Sequence, residues 1–235
     1  MTHTAVIAGV GPGLGESLAR KFAAEGCQVA LFARSAGYIE ELAEKLPAPG
    51  EGLAVQTDLT DIEQIRKGFT AVREAFGAVD VLVNHASAAS WKGLMDVSVE
   101  EFEQSWAVNG RGAFVCSREA VSDMLQTGGG TVIFTGATSS VRSLGGAIGF
   151  TAAKFAARGM AMDIAQEFGS EGIHVSHVVI DGQIDTPGVP DKEDETILDP
   201  NEMAETYWHL IKQDDVSTQP FEVHITNGPQ NSEFI

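Results

Sequence analysis

Seven short apolar runs alternate with segments of helical periodicity, and that alternation limits what this chain can fold into. The runs cover residues 5–9, 29–33, 53–56, 79–84, 131–135, 174–180 and 221–226. Between the first runs, Leu14, Leu18, Phe22 and Ala23 recur at helical spacing. Ile39, Leu42 and Leu46 do the same before Pro47 and Pro49 stop them, and Ile62, Ile65, Phe69, Val72 and Phe76 follow a capping Asp61. Longer helical stretches are expected over 98–124, 150–168 and 200–212. Apolar runs without alternation belong to strands buried on both faces, which requires a parallel sheet with helices above and below. Right-handed crossovers make it a doubly wound α/β (Rossmann) fold, mostly parallel and seven-stranded. No linker or repeat interrupts the order, so one domain over 1–235 is expected.

With 235 residues, 43% of them hydrophobic, the chain can fill a core of that size. Its formal net charge of −18 repels nucleic acid and anionic membranes, so neither is an expected partner. The same field repels an anionic cofactor, so a phosphate site has to be built locally from backbone N–H groups and a few cations. Cys27 and Cys116 stand far apart without a Cys-x-x-Cys, and no metal or disulfide framework is expected. The opening residues lack a basic n-region and a cleavage site, and no apolar stretch would span a bilayer; a cytoplasmic protein is expected.

Gly9-Val10-Gly11-Pro12-Gly13-Leu14-Gly15 closes the first run and opens the first helix. Glycines there let the backbone approach a pyrophosphate, which a helix N-terminus stabilises. A methyltransferase also uses a glycine-rich first turn, so the second run matters. It ends in Ala33-Arg34-Ser35, with no carboxylate for a ribose hydroxyl pair; Arg34 suits a 2′-phosphate instead. NADP is therefore expected, ahead of NAD or an S-adenosyl ligand. Asp58-Leu59 follow the third run, where Asp58 either faces the adenine or caps the next helix.

Together these pieces resemble the short-chain dehydrogenase/reductase family, over nearly the whole chain. Gly9, Gly13 and Gly15 match its glycine pattern, and Asn84-His85-Ala86-Ser87 partly matches its Asn-Asn-Ala-Gly. Asn109 corresponds to its helical catalytic Asn, and Phe150-Thr151-Ala152-Ala153-Lys154 stands at its Tyr-x-x-x-Lys. Gly172-Ile173-His174-Val175 resembles its Gly-Ile-Arg-Val, and Asp181-Gly182 replaces its Pro-Gly. The resemblance implies cofactor contacts at Asn84, Ala86, Lys154, Gly182, Ile184 and Thr186, the last two at the nicotinamide amide. It also implies a homodimer or homotetramer, with the helices around Ala113 and Ala157 as pairing surfaces.

Two catalytic side chains of the family are absent. Phe150 replaces the Tyr, and Ala137 stands where the Ser is expected; Thr138 or Ser139 can supply a hydroxyl if the loop shifts. Phe can neither give nor take a proton. Lys154 can serve as the donor if burial lowers its pKa. His85 is expected on the adenine side as a structural histidine; Tyr207 and His209 are expected near the variable lid-side helix, with Tyr207-Trp208 as packing residues. His174 and His177 are three apart on a strand, hence on opposite faces. The reading is an NADP(H)-dependent oxidoreductase of a small carbonyl or alcohol with an altered proton relay. The alternative is a cofactor-binding protein without dehydrogenase activity, a sensor or partner subunit. Substrate contacts are expected after Ala86, at 139–144 and at 187–198, around a mainly apolar pocket with Trp91. The acidic stretch 191–195 reads as a solvated loop or a lid.

Overall fold

The computed structural model describes residues 3–188, 197–213 and 215–226. Its strands are β1 (Thr4–Ala8), β2 (Gln28–Ala33), β3 (Glu51–Gln56), β4 (Val81–Asn84), β5 (Gly130–Thr135), β6 (Ile173–Asp181), β7 (Gln183–Ile184), β8 (Ile197–Leu198) and β9 (Glu222–Thr226). Its α-helices are α1 (Leu14–Ala24), α2 (Ala36–Glu44), α3 (Ile62–Phe76), α4 (Val99–Trp106), α5 (Ala113–Thr127), α6 (Ile148–Phe168) and α7 (Pro200–Ile211). Seven strands form one parallel sheet in the order β3-β2-β1-β4-β5-β6-β9.

Helices cover both faces, as the unbroken apolar strands require. On one face Leu18, Phe22, Ile39 and Trp208 pack on Ile7 and Leu31; on the other Phe69, Met124 and Ala161 pack on Phe32, Leu82 and Phe134. Each such side chain contributes about 1.5–3 kcal/mol on burial. The strand order reverses between β1 and β4, so the turns leaving their carboxyl ends part and open a crevice. There the two turns nearly touch. A Cβ on Gly9 would stand 2.4 Å from the Ala86 Cα, and the Gly9 φ is +107°, so only glycine fits.

The helical stretch expected over 98–124 is in fact interrupted. A π-helical turn, Ala107–Gly112, separates α4 from α5. A Cβ on Gly112 would lie 2.6 Å from the Leu59 carbonyl oxygen, so backbone meets backbone here. The short β7–β8 pair was not anticipated; two-residue strands carry no readable pattern. Ala113 and Ala157, which mark the helices expected to pair with a second copy, are themselves buried within the chain at 8% and 4% exposure. The exposed apolar residues of α5 and α6 are instead Phe114, Leu125, Phe155 and Met162. Residues 191–195, with their proposed lid, lie outside the described residues, as do 189–190, 196 and 227–235. No described helix is long and apolar enough to cross a membrane.

Candidate active site

Two cavities open along the crevice. The smaller, about 230 Å³, lies between the first glycine turn, the end of β2 and the turn after β3. Gly9, Gly11, Arg34, Asp58, Leu59 and Ala86 line it. Among the described residues the Arg34 guanidinium has no hydrogen-bond or ionic partner, and the side chain is exposed. Ser35 precedes α2 as its N-cap, yet its hydroxyl makes no capping bond. Asp58 does not cap α3. Its carboxylate accepts the Thr60 N–H and hydroxyl at 2.9 and 2.8 Å, while Asp61 takes the amides of Glu63 and Gln64.

Gly13, at φ +95°, turns the chain into α1, whose first amides face the crevice between the cavities. A Cβ on Gly13 would meet the Thr186 methyl at 2.3 Å, and one on Gly15 the Gly9 carbonyl at 3.2 Å. Leu14 is buried in the core, so only its backbone can serve a ligand. Thr186 stands at this corner rather than in the larger cavity, whereas Gly182 and Ile184 do line that cavity. Asn84 reaches neither cavity: its Nδ2 donates to Ser117 Oγ on α5 at 2.9 Å.

The larger cavity, about 480 Å³, holds Lys154, Phe150, Ala137 and Thr138. Lys154 is 3% exposed on α6, and its Nζ donates to the Thr135 carbonyl at 2.8 Å. Burial pulls its pKa down to about 8. Phe150, one helical turn earlier, places its ring centroid 5.6 Å from that Nζ and 5.5 Å from the Trp91 ring. Ala137 offers no hydroxyl; its amide donates to Ser140 Oγ at 2.9 Å. Thr138 lines the cavity and donates its hydroxyl to Asp181 Oδ1 at 2.5 Å. Asn109 is buried in the π-helical turn. Its Nδ2 donates to the carbonyls of Ala88 and Ser105 at 2.8 and 2.9 Å, which fixes the loop after β4 to α4.

His85 is a correction. It lines the larger cavity with Lys154 and Phe150, not the adenine-side cavity. Its Nδ1 lies 3.3 Å from Thr135 Oγ1, which also bonds the buried Tyr207 hydroxyl at 2.9 Å. Burial, then the Lys154 charge, lowers the His85 pKa to about 4, so the ring is neutral at working pH. Tyr207 packs as expected, and burial raises its pKa. His209 is exposed, with Nδ1 2.7 Å from the Glu205 carbonyl. His174 contacts the Leu210 and Pro220 carbonyls, and His177 contacts Glu222. No group of metal-ligating side chains occurs among the described residues. Thr135 and Asp181 received no role from the sequence. The only available signal was their place at the ends of two adjacent strands.

A nucleotide crevice at the switch point and a buried lysine in the cavity beside it define a dinucleotide-dependent oxidoreductase fold. The chain belongs to the short chain dehydrogenase family, which it matches over residues 3–196. It is 32% identical over 186 residues to 3-oxoacyl-(acyl-carrier-protein) reductase MabA of Mycobacterium bovis, covering 79% of this chain and 71% of that protein. It is 29% identical over 177 residues to the 3alpha-hydroxysteroid dehydrogenase of Mediterraneibacter gnavus, covering 74% of this chain and 71% of that protein. The fold superposes with a TM-score of 0.90, at 28% identity and full coverage of both chains (100% each), on an alcohol dehydrogenase of the archaeon Thermococcus sibiricus complexed with 5-hydroxy-NADP. Membership of this oxidoreductase family disfavours the methyltransferase reading and lends no support to a protein that binds cofactor without catalysis.

Proposed function

We propose that this protein is an NADP(H)-dependent oxidoreductase that interconverts a small carbonyl compound and its alcohol, with Lys154 in place of residue 150 as the proton-exchanging group. The observation that carries this reading is a buried lysine of pKa about 8 in the same cavity as a phenylalanine that cannot exchange protons. A general acid works best with a pKa near the operating pH.

The residues of the crevice fit the cofactor. Gly9, Gly11 and Gly13 admit a pyrophosphate to the N-terminus of α1, and this local site works against the net charge of −18. The partnerless Arg34 fork and the uncommitted Ser35 hydroxyl suit a 2′-phosphate, which favours NADP over NAD. Bound there, the nicotinamide supplies or takes the hydride. Lys154 donates to a ribose hydroxyl and gives the Nζ proton to the substrate oxygen as that oxygen gains charge. Asn109 holds the loop that carries Ala88. Phe150 and Trp91 supply an apolar part of the cavity wall. The exposed Phe114, Leu125 and Met162 suit a homodimer or homotetramer of a cytoplasmic enzyme.

The test is a titration with NADPH and NADH, followed by a carbonyl screen with the tighter binder. Tight NADPH binding with carbonyl-dependent NADPH oxidation is the expected result. Protein that binds NADPH yet turns over no carbonyl in a broad screen overturns the reading.

A further inference from the structure

Relative to the family pattern, this pocket lacks hydroxyls at 137 and 150, and a carboxylate at 181 stands behind its wall, bonded to the lining Thr138. The carboxylate and its neighbour change what the wall can recognise. Asp181 Oδ1 accepts the Thr138 hydroxyl at 2.5 Å, the length of a charge-assisted O–H···O⁻ bond, and Asp181 Oδ2 takes Arg142 at 3.1 Å. An ionised carboxylate only accepts, so the single Thr138 proton is committed to Asp181. What Thr138 then offers the cavity is lone pairs. A serine at 137, with its proton free, would offer a donor instead. Lys154 has the opposite character. An ammonium carries three N–H donors, and among the described residues the Thr135 carbonyl is the one acceptor of Lys154. One cavity therefore presents donors from Lys154 and an acceptor from Thr138.

We propose that the Thr138–Asp181 pair receives a hydroxyl group of the substrate, so that the site selects α-hydroxy ketones and the matching vicinal diols over plain ketones and mono-alcohols. The carbonyl oxygen, an acceptor only, goes to Lys154; the neighbouring O–H donates to Thr138 Oγ1. A plain ketone leaves that acceptor without a partner once water is displaced. Only the assignment of the carbonyl to Lys154 rests on the oxidoreductase reading. Thr138 and Asp181 are positioning residues here, and no proton leaves the substrate through them.

The test compares pinacolone with the α-hydroxy ketone obtained by exchanging one of its tert-butyl methyls for hydroxyl. That hydroxyl is tertiary and cannot be oxidised. With the full chain saturated in NADP⁺ both ketones bind without reacting, and calorimetry reads the affinities directly. The hydroxy ketone should bind roughly 10–100-fold tighter, the range of a hydrogen bond to a charge-assisted acceptor. Thr138→Val should erase the difference and Thr138→Ser should keep it. Asp181→Asn should shrink it, because a neutral amide at 181 no longer holds the Thr138 hydroxyl in a charge-assisted bond. Equal affinities in the wild type, no binding of the hydroxy ketone, or a preference unchanged in Thr138→Val each overturns the proposal. With NADPH in place of NADP⁺, tight hydroxy-ketone binding without turnover would sink the oxidoreductase reading and leave this one standing. Equal binding and turnover of both ketones would do the reverse.

Discussion

The two ends of the crevice are built from different materials. The adenine end relies on backbone: the close approach of Gly9 to Ala86, the Gly13 turn and the first amides of α1. The proton-exchange end relies on side chains, and there residues 137, 150 and 181 all depart from the family pattern. Backbone sites fail on a single Cβ, so they keep their glycines or lose the ligand. Side-chain sites can lose one group and gain another within the same cavity. The two ends therefore differ in how they answer a substitution.

The sharpest way to break the contrast is to rebuild the side-chain end. Phe150→Tyr with Ala137→Ser returns both hydroxyls to the cavity that already holds Lys154. General acid catalysis contributes about 10²–10⁴-fold, so kcat/KM for a plain ketone should rise within that range while the NADPH affinity stays put. Steady-state NADPH oxidation measures the first and a fluorescence titration the second. A double variant slower than the wild type would show that Lys154 already supplies the proton as well as a tyrosine does.

The adenine end is probed at Arg34. Replacing its partnerless guanidinium with a carboxylate, Arg34→Asp, should weaken NADPH by roughly 10–100-fold, the worth of a charge-assisted bond. NADH should change by no more than a few-fold. Equal losses for the two cofactors would place Arg34 away from the 2′-phosphate.

The same contrast explains what could be read from the sequence. Apolar strand runs are local signals, so the seven-stranded parallel sheet and most of its covering helices were legible. The helical stretch over 98–124 was not, because its π-helical turn depends on Gly112 meeting the distant Leu59 carbonyl and on Asn109 reaching Ala88. His85 was assigned to the adenine side from its motif, yet Thr135 on β5 holds its ring at the other end. Thr138 and Asp181 lie 43 residues apart, and no pattern in the chain announces their bond. What escaped was contact between side chains far apart in sequence.

Lys154 also sets a pH dependence at the side-chain end. On the proposed reading its ammonium gives a proton during reduction, and its free amine takes one during oxidation. With a pKa of about 8, reduction should be level below that pH and fall about tenfold per unit above it, while oxidation rises toward it. In Phe150→Tyr/Ala137→Ser the break should move, because a tyrosine then carries the proton. Profiles of kcat/KM in both directions measure it, and a reductive rate independent of pH from 7 to about 10 would remove Lys154 from the proton path.

A further effect is on folding, and its sign is fixed by the same burial. In the folded chain the Lys154 pKa is lowered from 10.5 to about 8, so between these values the unfolded chain binds the extra proton. Stability rises with pH wherever the unfolded state holds more protons. The wild type, without cofactor, should therefore gain stability between about pH 8 and 10.5, by about 3 kcal/mol from this group. Below pH 8 it carries the full cost of burying an ammonium that only the Thr135 carbonyl and the Phe150 ring face offset. Lys154→Met fills the same volume without a charge, so its stability in urea should exceed that of the wild type at pH 7, and the gap should close as pH rises. A gap that stays constant from pH 7 to about 10 would mean that the lysine is solvated when charged, and the adenine end would then be the only part of the crevice that works dry.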